Sequence, residues 1–248
     1  MYTLVSKVDM EAITGRQAKT AVVTGGARGI GRAIAERLLY DGYRVLIFDI
    51  DRHTGTRTAS ELDESGRAVF YHVDVGNEAS VKAAFEDMRG NGHDPIDVVV
   101  NNAGIPQSFG DPIHRLDIAR WNLYLAVNLT SVVLTAKYAH ALFREGRGVI
   151  VNIASTRFHQ PDRNSFTHTA SKGGMVSLTH SLAVGLGPNI RVNCISPVWV
   201  STRDDLLTLK DQPRYPAGRE GRPEDIASLV SWLVSDQAGS VTGQNFIA

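Results

Sequence analysis

The sequence predicts an α/β fold in which a single parallel sheet is doubly wound, with helices on both faces. From Ala18 onward, short runs rich in β-branched residues alternate with longer segments of helical period, which is typical of parallel strands joined by crossover helices. Each strand candidate is nearly all apolar, as a strand covered on both faces should be. The length of 248 residues and the 43% hydrophobic content suit one globular domain. We therefore predict one domain over residues 18–248 after an N-terminal extension, residues 1–17.

The strand and helix candidates follow one another in regular order. The strand candidates are residues 20–24, 44–49, 68–74, 96–101, 148–154 and 191–196. The helix candidates are residues 32–40, about 117–143, about 165–186 and 223–235. Gly42 stops the first helix, and Pro223 lies in the first turn of the last one. Residues 198–221 lack a clear period and follow the carboxyl end of a strand, where ligands bind in open α/β sheets, so we predict a substrate loop there.

The composition excludes several classes of protein. Lys plus Arg and Asp plus Glu number 26 each, and no basic run is interleaved with aromatic residues, so we expect no nucleic-acid partner. The single cysteine, Cys194, excludes an intrachain disulfide and a cysteine zinc cluster, and we predict no metal site. No stretch has the length and apolar character of a secretion signal or a membrane span. We therefore expect a cytoplasmic protein that acts on a small molecule.

A glycine-rich segment joins the first strand candidate to the first helix candidate. It reads Thr24-Gly25-Gly-Ala-Arg28-Gly29-Ile30-Gly31. In this context the glycines let the backbone approach a pyrophosphate, and the helix N-terminus offers unpaired N–H groups and partial positive charge. Taken alone, the segment could also be a simple chain reversal. Its position between a strand and a helix favours a dinucleotide-binding loop.

Asp49 ends the second strand candidate about 20 residues beyond the glycines, where an acid can accept hydrogen bonds from the adenosine ribose. Its negative charge would repel a 2′-phosphate. Arg28 favours NADP instead, because a guanidinium in the glycine loop could pair with that phosphate. The same side chain could equally be solvated or contact the pyrophosphate. We give Asp49 more weight and predict NAD rather than NADP.

Several further motifs follow one another along the chain: Asp74-Val75, Asn101-Asn102-Ala103-Gly104, Asn128, Ser155, Ala170-Ser171-Lys172 and Val241-Thr-Gly-Gln244. In kind and order they resemble the short-chain dehydrogenase/reductase family, and the likeness runs from about Lys19 to Gln244. The resemblance implies a Rossmann-type sheet and a homodimer or homotetramer paired through the two long helices. It implies cofactor contacts from Thr24, Gly25, Arg28, Gly29, Ile30, Gly31, Asp49, Asp74, Val75, Asn102, Ala103, Gly104, Lys172, Pro197 and Val198.

The resemblance also implies a reaction and roles for its residues. In that family a hydride moves between the nicotinamide and a carbinol carbon while a tyrosine exchanges the hydroxyl proton. Carried over, Lys172 binds the nicotinamide ribose, Ser155 hydrogen-bonds the substrate oxygen and Asn128 holds a water in the proton relay. The position of the tyrosine, four residues before the lysine, holds His168. Residues four apart share one helix face, so His168 and Lys172 should project together.

Two departures from the family pattern leave the chemistry open. The His168 ring is shorter than a tyrosine's, so its nitrogen would fall on the order of 2 Å short of a phenol oxygen, although a histidine can act as a base near neutral pH. Lys172 and an oxidised nicotinamide would favour the neutral imidazole, which suits alcohol oxidation better than ketone reduction. Val198 follows Pro197 where the family has glycine, which adds bulk near the nicotinamide.

We therefore predict an NAD-dependent oxidoreductase that acts on a secondary alcohol or ketone of a polar small molecule. The alternative is a redox-silent relative that carries out lyase, isomerase or cyclase chemistry, or a nucleotide-binding partner subunit. The polar residues Arg203, Asp204, Asp205 and Arg214 of the substrate loop favour a hydroxylated or charged ligand over a lipid.

Overall fold

The computed structural model describes residues 18–63, 65–106, 110, 112–201 and 217–248. In this part of the chain, seven strands form one sheet. The strands are β1 (Thr20–Thr24), β2 (Arg44–Asp49), β3 (Ala68–His72), β4 (Val98–Asn101), β5 (Gly148–Ile153), β6 (Ile190–Ser196) and β7 (Asn245–Ile247). The helices are α1 (Gly29–Tyr40), α2 (Arg52–Leu62), α3 (Glu78–Gly90), α4 (Ile118–Leu125), α5 (Ser131–Ala139), α6 (Phe166–Leu186) and α7 (Pro223–Val234).

The strand order is β3-β2-β1-β4-β5-β6-β7, and every neighbouring pair is parallel. The chain runs outward from β1 to β3, then crosses back to β4 beside β1 and runs outward in the other direction. This reversal confirms the doubly wound sheet. It also creates a crevice at the carboxyl ends of β1 and β4, which is where open α/β sheets bind ligands.

Each face of the sheet carries its own apolar core. In β2, Val45 and Ile47 pack toward α1 and α7, whereas Leu46 and Phe48 pack toward α3, α5 and α6. Successive residues of a strand point to opposite faces, so a strand covered on both sides must be apolar throughout. The double covering is therefore the reason for the continuous apolar strands in the sequence.

The observed elements differ from the predicted ones where the apolar pattern is weak or interrupted. β1 and β2 have the predicted bounds, but α1 begins at Gly29, inside the glycine loop. The helix predicted over residues 117–143 is divided by a π-helical turn, Ala126–Thr130, and ends in a 3-10 turn. The bounds of α2 and α3 were not predicted. In α2 the buried residues are only Gly55, Thr58 and Ala59, so its hydrophobic period is faint.

A chain of buried polar side chains ties α5 and α6 to the middle of the sheet. Thr135 Oγ1 donates to Asn101 Oδ1 at 2.7 Å, Asn101 Nδ2 donates to Asn152 Oδ1 at 2.9 Å, and Asn152 Nδ2 donates to Thr179 Oγ1 at 2.9 Å. All four residues are buried. Buried polar groups must be hydrogen-bonded, so this chain fixes how both helices are seated on the sheet.

Within the described residues, no helix is both long enough and apolar enough to span a lipid bilayer.

Candidate active site

The loop after β1 and the segment after β4 are locked together by side-chain hydrogen bonds. Thr24 Oγ1 accepts the backbone N–H groups of Asn102 and Ala103, each at 3.0 Å. In return, Asn102 Nδ2 donates to the carbonyl oxygens of Thr24 and Gly25 at 3.0 and 3.1 Å. Four predicted cofactor-binding residues therefore lie at the crevice between β1 and β4 and hold one another in place.

The glycines of this loop are required by its shape. Gly25 and Gly29 have φ values of 63° and 56°, which glycine adopts without strain. A Cβ on Gly31 would collide with the Gly25 carbonyl oxygen and the Asn102 amide. Arg28, the N-cap of α1, makes no side-chain capping hydrogen bond. The first N–H groups of α1 are therefore left for an anionic ligand, and the loop fits a pyrophosphate.

Asp49 lies at the end of β2, beside the glycine loop. Its Oδ2 accepts the backbone N–H of Ala27 and its Oδ1 accepts that of Asp51, both at 3.0 Å. A carboxylate has about four acceptor positions, so two remain for the hydroxyl groups of a ribose. Arg28 acts on the segment after β2, through Asp51, whose N–H is bound by Asp49. The pKa of Asp51 is lowered chiefly by hydrogen bonds from Thr54 and in smaller part by the charge of Arg28. The corner thus contains both the acid and the cation that the sequence indicated.

Asp74 and Val75 follow β3, on the outer side of β2. Asp74 Oδ1 accepts the N–H of Gly76 at 2.9 Å, and its own N–H donates to Ser80 Oγ at 3.0 Å. Val75 is buried. A Cβ on Gly76 would lie 3.0 Å from Val127 Cγ2, so this turn lies against the π-helical turn. Both residues are therefore at the carboxyl edge of the sheet, farther along it than Asp49.

His168 and Lys172 lie one turn apart on α6, and both side chains are buried. Lys172 Nζ donates to the carbonyl oxygen of Ile153, at the end of β5, at 2.8 Å. A Cβ on Gly104 would be 3.5 Å from Lys172 Nζ and 3.3 Å from Asn128 Oδ1, so the structure brings these two predicted residues together over Gly104. Burial lowers the pKa of Lys172 to about 8. The ammonium is thus held out of water at the end of β5.

Asn128, in the π-helical turn, uses its amide to bind backbone. Its Oδ1 accepts the N–H of Ile105 at 2.7 Å, and its Nδ2 donates to the Ile105 carbonyl and to Ser171 Oγ, both at 3.3 Å. The side chain therefore connects the segment after β4 to α6.

Ser155, after β5, accepts the N–H of Arg157 at 3.2 Å and caps the short turn Thr156–Phe158.

The His168 imidazole is held in its neutral form. Its pKa is lowered to about 4, first by burial and then by the charge of Lys172, while a hydrogen bond to the Ile105 backbone opposes the shift and Arg157 adds to it. The sequence indicated the Lys172 effect, but burial is the larger cause. Nδ1 has no hydrogen-bond partner among the described residues. The neutral ring therefore keeps Nδ1 buried and unpaired within the part of the chain that the structure describes.

A cavity of about 30 Å³ lies beside His168, between α4 and the start of α6. Asp117, Arg120, Tyr124 and Thr167 also line it. A space of this size holds a water molecule or a small substituent of a ligand.

Pro197 and Val198 follow β6. The Pro197 carbonyl accepts the N–H of Thr156 at 3.0 Å, and the Val198 N–H donates to the carbonyl oxygen of Ala248 at 2.7 Å. The Val198 side chain is half exposed. Most of the predicted substrate loop, including Arg203, Asp204, Asp205 and Arg214, lies outside the described residues, as does the predicted N-terminal extension.

Sequence reasoning missed Arg157 and Ile105. Arg157 lies two residues after Ser155 and its charge reaches His168, while the Ile105 backbone binds Asn128. The position of Arg157, two residues after Ser155, is a signal in the sequence that could have identified it, but nothing in the sequence distinguishes Ile105.

In the described part of the chain, no group of three or more His, Cys, Asp or Glu residues could hold a metal ion.

Comparison with known proteins gives consistent matches over most of the chain. Residues 25–248 match the family model described as enoyl-(acyl carrier protein) reductase. An uncharacterized oxidoreductase of Thermotoga maritima is 40% identical over 248 residues, with 93% of this chain and 94% of the relative covered. The cis-4-hydroxycyclohexanecarboxylate dehydrogenase of Sinomonas cyclohexanicum is 36% identical over 234 residues, with 91% and 92% covered.

A solved structure is similar throughout. The 3-ketoacyl-(acyl-carrier-protein) reductase of Brucella melitensis, complexed with NADH, superposes with a TM-score of 0.84 at 31% identity, covering 94% of this chain and 97% of that one.

We predict that the imidazole of His168 titrates at about pH 4. An unfolded histidine titrates near 6.5, so the folded protein binds fewer protons between these values. The free energy of unfolding should therefore be fully retained above about pH 6.5 and should fall as the pH is lowered toward 4. NMR of labelled histidine measures the first quantity, and urea unfolding at several pH values measures the second.

His93, whose pKa is also lowered by burial, provides the matched control. His168→Gln should remove the loss of unfolding free energy that continues down to about pH 4, whereas His93→Gln should leave that loss in place. A His168 resonance that titrates near 6.5 would contradict the prediction.

Proposed function

The chain belongs to the short-chain dehydrogenase/reductase family of oxidoreductase enzymes, and we propose that it is an NAD-dependent member with His168 in place of the catalytic tyrosine. The reaction is the oxidation of a secondary alcohol of a polar small molecule, or the reverse reduction of the ketone. The observation that carries the proposal is the burial of His168 and Lys172 on one face of α6, with Lys172 bound to the Ile153 carbonyl at the end of β5. The names of the relatives differ in substrate, so they support the reaction class alone.

NAD would be held along the carboxyl edge of the sheet. The first turn of α1 and the glycine loop would bind the pyrophosphate, and Asp49 would accept the adenosine ribose hydroxyls. One of the three N–H groups of Lys172 donates to the Ile153 carbonyl, which leaves two for the hydroxyl groups of the nicotinamide ribose. When bound, the nicotinamide would accept a hydride from the carbinol carbon. A relative of known structure holds NADH, which supports a nicotinamide cofactor.

His168 is the proposed base. Because its neutral form prevails at neutral pH, the imidazole is in the state that takes the hydroxyl proton. Ser155 would hydrogen-bond the substrate oxygen, and Lys172 would keep the imidazole from retaining the proton through like-charge repulsion. Asn128 holds the segment after β4 against α6 and so positions His168 and Lys172. This arrangement suits oxidation better than reduction.

We also propose that the partners are a small-molecule substrate and further copies of this chain, without nucleic acid, and that the protein is cytoplasmic. The single cysteine, buried and with a pKa raised to about 11 by burial, suits a reducing compartment.

The cofactor prediction is that NAD(H) binds more tightly than NADP(H), because a 2′-phosphate would meet the charge of Asp49. Asp49→Asn should narrow the difference in Kd by roughly 10-fold, since a charged hydrogen-bond partner is lost. Asn keeps one acceptor for the backbone, so the glycine loop should survive the change. Calorimetric titration measures both constants, with the exposed Glu86→Gln as control. Tighter binding of NADP(H) to the natural chain would refute the assignment.

The catalytic prediction concerns His168. His168→Ala should lower kcat by roughly 10²-fold or more, and the rate of the natural enzyme should decline only as the pH approaches 4, where the imidazole becomes charged. NAD reduction followed at 340 nm in a panel of secondary alcohols measures both. His159→Gln, at an exposed ring that meets Phe158 edge to face, is the control.

An unchanged rate in His168→Ala would show that the histidine is not the base. His168→Tyr, alone and with Val198→Gly, addresses the alternative. If the double variant oxidises alcohols on which the natural chain is inactive, the natural chain is a redox-silent relative, with lyase, isomerase or cyclase chemistry or a partner role.

The oligomer prediction is a homodimer or homotetramer that pairs through α4, α5 and α6. Apolar side chains are exposed on all three: Ile118, Leu123, Val133, Phe166 and Val184. Light scattering of the purified protein should give a multiple of the chain mass, 27.0 kDa. Val184→Glu should shift the mass toward the monomer, whereas Tyr40→Glu, at an exposed side chain of α1, should not. A monomer at micromolar concentration would contradict the prediction.

A further inference from the structure

Arg157 is joined through its backbone to the two segments that carry Ser155 and His168. Its backbone N–H donates to Ser155 Oγ at 3.2 Å, and its carbonyl oxygen accepts Thr169 Oγ1 at 3.2 Å, one residue beyond His168. Thr169 is held in turn by Ser165, at 2.9 Å. The backbone of Arg157 therefore bridges the serine after β5 and the first turns of α6.

The guanidinium of Arg157 is only partly used. Nη1 donates to Asp162 Oδ1 at 2.8 Å and to the Gln160 carbonyl at 3.4 Å. Nε and Nη2 donate to no residue that the structure describes. These two groups form the edge of a guanidinium that binds both oxygens of a carboxylate in parallel. Arg157 thus keeps a complete carboxylate-binding edge while it holds Asp162 through another nitrogen.

Two cations of the described residues, Lys172 and Arg157, act on His168. After burial, which is the largest cause, the charges of Lys172 and then of Arg157 lower the pKa of the imidazole. Two carboxylates among the described residues here are already engaged, because Asp117 Oδ1 accepts the N–H of Ala119 at 2.9 Å and Asp162 pairs with Arg157. An anionic ligand would therefore be attracted to the site, and the His168 imidazole would still be free to take a proton.

We propose that Arg157 binds a carboxylate of the substrate, so that the alcohol oxidised is a hydroxy acid. A planar carboxylate matches the parallel N–H groups of a guanidinium, and Asp162 is a carboxylate that this guanidinium already binds. The inference rests on the proposed function and extends it to a substrate class.

In the reaction the carbinol carbon loses its hydride to NAD⁺ and the hydroxyl proton passes to His168 and then to water. The carbon–oxygen single bond becomes a carbonyl, the carboxylate is unchanged, and the products are the keto acid, NADH and one proton.

The Asp162 contact does not prevent this binding. The Asp162 side chain is 43% exposed and that of Arg157 is 28% exposed. Exposed ion pairs contribute little to stability, so a substrate carboxylate can use the free edge of the guanidinium or displace Asp162. In either case the negative charge of Asp162 opposes the binding of the substrate carboxylate.

The test compares hydroxy acids with their neutral amides. Lactate and 3-hydroxybutyrate, each paired with its amide, are assayed with NAD on the full chain, and the ratio of kcat/KM for acid over amide is measured. Arg157→Gln should lower this ratio roughly 10- to 100-fold, and Arg157→Lys should retain part of it. Arg163→Gln removes an exposed guanidinium from the same loop and should leave the ratio unchanged.

Binding without turnover separates this inference from the proposed function. Pyruvate, acetoacetate and their amides are titrated calorimetrically into the protein with NADH present. Tighter binding of the acids that is lost in Arg157→Gln supports the inference even if no alcohol is oxidised. Equal binding of acid and amide, or equal weakening of both in Arg157→Gln, overturns it. Preference for a sulfonate analogue over the carboxylate overturns the carboxylate assignment.

Asp162→Asn covers the case in which Arg157→Gln does not fold. This variant keeps the guanidinium and removes the competing charge, so the acids should bind a few-fold more tightly while the amides do not. Weaker or unchanged acid binding in a folded Asp162→Asn protein would count against the inference.

Discussion

The reciprocal hydrogen bonds between the ends of β1 and β4 determine where everything else in the site lies. Thr24 Oγ1 accepts two N–H groups of the β4 segment, and the Asn102 amide donates to two carbonyls of the β1 loop. These bonds give the glycine loop its shape and leave no room for a side chain at Gly31. They also set the path of the chain beyond Asn102, which reaches Gly104 and Ile105. The pyrophosphate end and the catalytic end of the site are thus held by one set of contacts.

Burial controls the chemistry of the catalytic end. His168 and Lys172 are taken out of water by α6, the end of β5 and the segment after β4, and both pKa values fall because the charged forms lose hydration. In an exposed helix the same two residues would have ordinary pKa values. The single turn between them then couples the two groups, since the Lys172 charge further disfavours imidazolium.

Asp49 and Asn128 both serve the fold and the site at once. Asp49 accepts the backbone N–H groups of Ala27 and Asp51, so its loss would disturb the glycine loop as well as the ribose contact. Asn128 uses both ends of its amide on Ile105 and also reaches Ser171. For both residues a conservative substitution that keeps one hydrogen bond is more informative than alanine, because alanine removes the structural role together with the functional one.

The sequence by itself determined the doubly wound sheet, the bounds of β1 and β2, the glycine loop and the pairing of His168 with Lys172. These features depend on local chemistry: apolar runs, glycines at positive φ, and a spacing of four residues on a helix. It did not determine the bounds of the polar helix α2, the π-helical turn around Asn128, the engagement of Asp49 or the placement of Arg157. Those depend on which distant segments meet, since Arg157 is defined by Ser155 on one side and Thr169 on the other. Contacts between segments far apart in the chain leave no period or spacing in the sequence, so only the folded structure decided them.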